Sequence, residues 1–233
     1  MKSHLNLILI LVCFSVFGKA QTKPTTLFEN NAKLTGQTDK NGERTGEWKW
    51  FEKNGKLFQI GKYTNGKPVG EWKTYYRNGK LRTIGRFENG KQTGDWKEYY
   101  DNGQLYEIGF YDGENRIGEH KWYHDNGKPK MIGSYNDAGK TIGEWKEFYS
   151  NGQLRHVGTQ RDNNRVGEWK YYYENGNLEK TGSHDDNGIM AGEWKLYHKN
   201  GKIGAVGIIR DSEKAGEWKY YDENGNLKET VTK

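Results

Sequence analysis

"GEWKYYYENGNL", Gly167 to Leu178, sets a Gly-Glu-Trp-Lys opening and three tyrosines against an Asn-Gly pair, and near copies of it occur eight times in the chain. The opening glycines fall at Gly46, Gly70, Gly94, Gly118, Gly143, Gly167, Gly192 and Gly216, in steps of 24, 24, 24, 25, 24, 25 and 24 residues. An Asn-Gly pair follows eight residues after each of them, from Asn54-Gly55 to Asn224-Gly225. Self-similarity at a fixed period of this size marks a repeat architecture and outranks every other signal.

Within one copy, a run of β-formers such as Trp72 to Tyr76 leads to a turn at Asn78-Gly79, a second run from Leu81 to Phe87, and then the polar loop "ENGKQTG". That order predicts one β-hairpin per repeat. No stretch after Gln21 keeps apolar residues at helical spacing for three turns, and the recurring glycines would break a helix. The expected fold is all-β: an elongated, twisted antiparallel sheet of consecutive hairpins, about eight 24-residue repeats. Sixteen strands at about 4.8 Å each would extend roughly 75 Å.

Two registers fit the hairpin. A two-residue Asn54-Gly55 loop puts Trp48 opposite Gly61, so that each Trp covers a bare glycine. A Lys53-Asn54-Gly55 loop with a bulge at the glycine puts Trp48 opposite Ile60 and Phe51 opposite Leu57, and aromatic–aliphatic pairing favours this second register. In either, Trp48 and Lys49 point to opposite faces, and Lys49 shares its face with Phe51. Stacked hairpins therefore carry a Lys column beside a Tyr/Phe column on one side and a Trp column on the other, while the position between Lys and Tyr varies freely through Trp50, Thr74, Glu98, Trp122, Glu147, Tyr171, Leu196 and Tyr220.

The first twenty residues, "MKSHLNLILILVCFSVFGKA", run from a basic start at Lys2 through an apolar stretch to small residues at Gly18 and Ala20. This order reads as a secretory signal cleaved before Gln21, with a tail and degenerate half-repeat over 21–45 and the repeats over 46–233. The apolar stretch is too short to span a bilayer. Cys13 is the single cysteine and lies inside the leader, which excludes disulfides from the processed chain. Losing Lys2 and Lys19 takes the formal charge from +6 to +4, with signs interspersed, which gives no case for nucleic acid. The mean hydropathy of −1.13 would suit a disordered chain, but 33 residues are Trp, Tyr or Phe, so the core must be aromatic. The "TKPTT" segment is expected to be a flexible tail.

"GEWKYYYENGNLEKTG", with its aromatic run, Asn-Gly turn and second glycine at Gly182, resembles the MORN repeat variant found in many bacterial proteins. The resemblance runs from Gly46 to the C-terminus, with a degenerate half-repeat ahead of it at "LFENNAKLTG". It departs at His120, which stands where the other seven copies have Trp, although Trp122 follows on the same strand face. The resemblance implies consecutive hairpins in an extended twisted sheet, and roles as scaffolds or binding modules for proteins, with a disputed role at membranes. Some bacterial members are labelled antitoxins, and the leader argues against a cytoplasmic partner of that kind.

An enzyme needs a constellation that occurs once, and this sequence offers mostly repeated ones. The processed chain has no cysteine nucleophile, no HExxH and no glycine-rich loop between strand and helix. His120 and His124 have a helical metal spacing but would lie about 13 Å apart on a strand, so no metal site and no cofactor is expected. The loop "DKNGE", Asp39 to Glu43, alternates oxygens as a calcium loop does, yet ordinary turn chemistry explains it. The candidate binding face is the Lys–Tyr side: Lys73, Tyr75, Lys97, Tyr99, Lys121, Tyr123, Lys146, Phe148, Lys170 and Tyr172. Against it stands a plainer role, in which lysine stems cover the rings and the heads pair with residues such as Glu47 to keep a thin sheet soluble. Trp48, Trp72, Trp96, Trp145, Trp169, Trp194 and Trp218 are expected to be structural. Their even distribution puts a protein partner ahead of a glycan, and a glycan or membrane surface is kept as the alternative.

Overall fold

The computed structural model describes residues 22–29 and 32–233; the leader, Cys13 and Gln21 lie outside the described residues. Eighteen strands follow one another: β1 (Lys23–Glu29), β2 (Ala32–Thr38), β3 (Arg44–Phe51), β4 (Leu57–Thr64), β5 (Lys67–Tyr75), β6 (Leu81–Glu88), β7 (Lys91–Tyr99), β8 (Leu105–Asp112) and β9 (Asn115–Tyr123) form the first half. The second half is β10 (Pro129–Tyr135), β11 (Thr141–Phe148), β12 (Leu154–Arg161), β13 (Asn164–Tyr172), β14 (Leu178–His184), β15 (Met190–Tyr197), β16 (Ile203–Arg210), β17 (Glu213–Tyr221) and β18 (Leu227–Thr232). Each strand pairs antiparallel with its sequence neighbours, so β1 and β18 are the two ends of one open sheet. The expected all-β sheet of consecutive hairpins is what forms. The N-terminal segment differs from expectation: "TKPTT" lies in or beside β1, and β1 with β2 makes a complete hairpin in front of the first repeat.

Each hairpin combines features of both expected registers. At the turn, Gly55 N donates to Glu52 O and Glu52 N donates to Lys56 O, both at 2.8 Å, which closes the three-residue Lys53-Asn54-Gly55 loop. Gly55 takes φ +84°, a conformation that costs other residues more. Phe51 accordingly faces Leu57. A bulge at Phe58 then shifts the ladder by one residue, and Trp48 faces Gly61 rather than the expected Ile60. The same shift recurs in the other repeat hairpins, for example between Thr74 and Tyr75 and between Glu98 and Tyr99, whereas β1 and β2 pair without it.

Between repeats the connection is a two-residue turn in the 24-residue steps, as where Thr64 faces Lys67. Both 25-residue steps place their extra residue in this loop, where Asn136 N bonds Lys140 O and Asp185 N bonds Ile189 O, each at 2.9 Å. "DKNGE" is a loop of the same kind, with Asp39 Oδ1 accepting from Asn41 N and Glu43 N at 2.8 and 2.9 Å. Its oxygens are engaged in turn chemistry.

The core is a ladder of rings on one face. Trp48, Tyr63, Trp72, Phe87, Trp96, Tyr111, His120, Tyr135 and Trp145 succeed one another with centroids 5.2 to 6.3 Å apart, mostly edge to face. The ladder breaks at Gln160 and resumes with Trp169, His184 and Trp194. Each Trp lies over the glycine of the preceding strand, Trp72 on Gly61 and Trp169 on Gly158, so the expected covering of glycine operates between repeats.

Candidate binding faces and the break in the repeat

The expected Lys–Tyr face exists as one continuous surface. Across the sheet, Lys49, Ile60, Lys73, Ile84, Lys97, Ile108 and Lys121 are successive cross-strand partners. The row continues through Ile132, Lys146, Val157 and Lys170. Tyr75, Tyr99, Tyr123, Phe148 and Tyr172 flank it, half-buried, each opposite Leu or Pro near the turn. The lysine heads are engaged within their own strands: Lys73 with Glu71 at 2.6 Å, Lys121 with Glu119 at 2.8 Å, Lys146 with Glu144 at 2.5 Å and Lys170 with Glu168 at 3.9 Å. The hydrogen bonds that Lys73 and Lys121 donate to Glu71 and Glu119 raise their ammonium pKa above the ordinary value. Lys97, whose strand-mate is the shorter Asp95, makes no such pair among the described residues. Exposed pairs of this kind contribute little stability each.

The Asn-Gly turns line one long margin of the sheet and are tied to each other. Asn78 Nδ2 donates to Asp101 O at 3.0 Å, Asn102 Nδ2 to Asp125 O at 2.9 Å and Asn151 Nδ2 to Glu174 O at 3.0 Å, while Oδ1 of each accepts the amide two residues on. Tyr100 Oη and Tyr149 Oη donate to Tyr123 O and Tyr172 O at 2.8 Å, and His124 Nε2 contacts Phe148 O at 2.9 Å in the same role. His124 is thus a tie between turns. Asparagine is required by these bonds and glycine by the φ.

On the Trp face the freely varying position turns out to vary in step with another. Arg44 stands 4.8 Å from the Trp48 ring and 5.9 Å from Trp50, Arg165 4.6 Å from Trp169 and 5.8 Å from Tyr171, and Lys214 4.5 Å from Trp218 and 5.1 Å from Tyr220. Arg116 approaches Trp122 at 6.0 Å. Wherever the residue two before the repeat glycine is basic, the residue four after it is aromatic, and the cation lies against rings. The other four repeats carry Pro68 with Thr74, Gln92 with Glu98, Thr141 with Glu147 and Met190 with Leu196, and have neither partner. This covariation was legible in the sequence; each position considered alone hides it.

The largest departure from the pattern lies on β7 to β9. His120 is fully buried, with Nδ1 3.1 Å from Glu107 Oε1 and Nε2 2.9 Å from Phe110 O. The second contact reproduces the bond that Trp169 Nε1 makes to Thr159 O, so His120 replaces Trp within the same frame. Both ring nitrogens lie within hydrogen-bonding distance of oxygens. Glu107, 7% exposed, also receives Arg116 Nε at 3.1 Å. Burial alone would raise the Glu107 pKa; the hydrogen bonds from His120 and Arg116 more than reverse this and hold it below the ordinary carboxylate value. His120 and His124 are not brought together on a ligand, and no group of residues suited to a metal occurs among the described residues. Of the expected structural tryptophans, Trp48, Trp72, Trp145, Trp169, Trp194 and Trp218 are buried and Trp96 is half-buried.

No curated protein matches the chain. Solved structures similar to it include the crystal structure of TcdB2-TccC3-Cdc42, at 13% identity over 88% of this chain with a TM-score of 0.21, and that of TcdB2-TccC3-TEV, at 14% identity over 91% with a TM-score of 0.22. The chain spans about 15% of the length of each. A family model described as the MORN repeat variant matches residues 44–65, 68–89, 92–112, 116–137, 142–160, 165–186, 190–203 and 214–232, in phase with the hairpins, and the chain belongs to that family.

Proposed function

We propose that this repeat scaffold is exported and non-catalytic, and that it holds a protein partner against the Trp face of its central repeats. The observation that carries the reading is the break in the pattern at β8 and β9, where His120 alone replaces the repeat Trp and is tied, with Arg116, to Glu107, which faces Glu98 across the strands. A structural surface repeats; a recognition surface has to be particular. The buried titratable groups there are engaged with one another, which suits positioning better than proton transfer. Most of the indoles are buried under neighbouring rings, leaving little flat aromatic surface for a sugar. Export rests on the order of residues in the leader.

A second reading places the partner along the Lys–Tyr face, and Phe110 favours it, standing 48% exposed in the middle of that side opposite Asp95. Two variants separate the readings. One changes Lys97, Lys121 and Lys146 to Glu with Tyr99 and Tyr123 to Ser; the other changes Thr83 and Glu98 to Lys. Partner capture from an envelope extract, quantified for folded proteins of matched melting temperature, is expected to fall for the second variant only. Loss in the first alone moves the contact to the Lys–Tyr face. Intact-mass measurement of the exported protein tests the leader, with a chain beginning at Gln21 expected.

A further inference from the structure

The protein contains its own examples of a cation seated on a repeat tryptophan, and the third repeat has the seat without the cation. In the first, sixth and eighth repeats Arg44, Arg165 or Lys214 lies 4.5 to 4.8 Å from the indole centroid. In the third, the equivalent residue is the neutral Gln92, and Trp96 is the one repeat tryptophan that is not buried. The residue beside its ring, aromatic in the repeats that carry a cation, is Glu98. Glu98 faces Glu107 directly across β7 and β8, a like-charge pairing that disfavours the strand contact unless something positive sits over it. Arg116 and His120 occupy Glu107, whereas the nearest cation to Glu98 is Arg82, at 3.7 Å and more than half exposed.

A cavity of about 200 Å³ opens at this point, lined by Thr83, Gln92, Trp96, Lys97, Glu98, Glu107 and Tyr111, with the Lys97 side chain directed by strand alternation to the opposite face. It is smaller than the roughly 300 to 1,000 Å³ of sites for whole small molecules and matches the head of a single side chain. Ring below, carboxylate at the side and no internal cation over the ring are the elements of a cation–π seat, with Arg82 reaching Glu98 only from its exposed side. We propose that this cavity receives an arginine side chain of a protein partner, its guanidinium over the Trp96 ring and hydrogen-bonded to Glu98. Arginine is chosen over lysine because it fills most of the internal seats and its planar group can stack on the indole while donating to a carboxylate at its edge. The assignment of a protein as the source rests on the scaffold reading above; the chemistry of the seat does not.

The test is a titration of the processed chain with the blocked tripeptide Gly-Arg-Gly and its citrulline counterpart, followed by NMR at the Trp96 indole NH. A saturable Trp96 shift with the arginine peptide and none with the neutral one is expected. Gln92→Arg supplies the missing cation from the protein's own strand, and Glu98→Gln removes the acid while relieving the like-charge pair. Each should weaken peptide binding on the order of tenfold without lowering the melting temperature. No Trp96 shift, an equal shift with citrulline, or a shift that survives both variants overturns the seat. Arginine binding at Trp96 with no captured protein partner keeps the seat and rejects the scaffold reading instead.

Discussion

Gly61 and Trp72 share one volume: a Cβ on the glycine would lie inside the indole of the next repeat. Gly61→Ala should therefore destabilise by about 1 to 3 kcal/mol, as overpacking does, and a thermal melt would register it. His120 belongs to the same row. Its replacement by the Trp of the other copies, which the sequence alone suggests is neutral or stabilising, should instead cost on the order of 1 to 3 kcal/mol, because Glu107 is left buried with one partner fewer. Glu107→Gln in the same chain should recover part of that loss. Since the folded pKa of Glu107 lies below its unfolded value near 4.5, its contribution is present above that pH and is lost as pH falls through the folded pKa. Wild type should accordingly lose more stability than Glu107→Gln between about pH 5 and 3, in melts taken across that range. Periodicity identified His120 as an exception, but its partner lies thirteen positions away on another strand, a pairing that only the register reveals.

Hairpins were legible from Asn-Gly and the 24-residue period, and their bulges were not. The sequence offered two registers because each is right for part of the strand: the turn dictates Phe51 opposite Leu57, while ring packing dictates Trp48 opposite Gly61. Phe58 absorbs the difference. The β1–β2 hairpin was legible only as a degenerate half-repeat because it has neither the Trp nor the Asn-Gly pair, and its pairing with β3 makes it a hairpin of the series. The turn margin yields a comparison between equivalent asparagines. Asn102 reaches the next turn, whereas Asn54 Nδ2 bonds Glu52 in its own. Asn102→Ala should therefore cost about 0.5 to 1.5 kcal/mol more than Asn54→Ala in chemical denaturation, the difference being the bond between turns.

At the scale of the molecule, every strand packs on its sequence neighbours and the sheet does not close. Removing Gly70 to Thr93 should leave a shorter folded sheet, because the deletion joins equivalent points of two repeats. Removing half a unit reverses strand direction and should prevent cooperative melting of the portion beyond it. The length, class and two-sided chemistry of the molecule could be read from the repeat, whereas the candidate seat at Trp96 could not, since it arises where two repeats fail to match and becomes a cavity only when β7 lies beside β8. The open sheet has a mechanical consequence. With β1 at one end and β18 at the other, tension applied at those ends runs parallel to the interstrand hydrogen bonds and loads them one pair at a time, which is peeling rather than shear. A tether built this way yields at low force, hairpin by hairpin, each 24-residue repeat releasing roughly 80 Å of chain. The bonds between turns set the height of every step, so the margin that aligns the repeats at rest also meters their release under load.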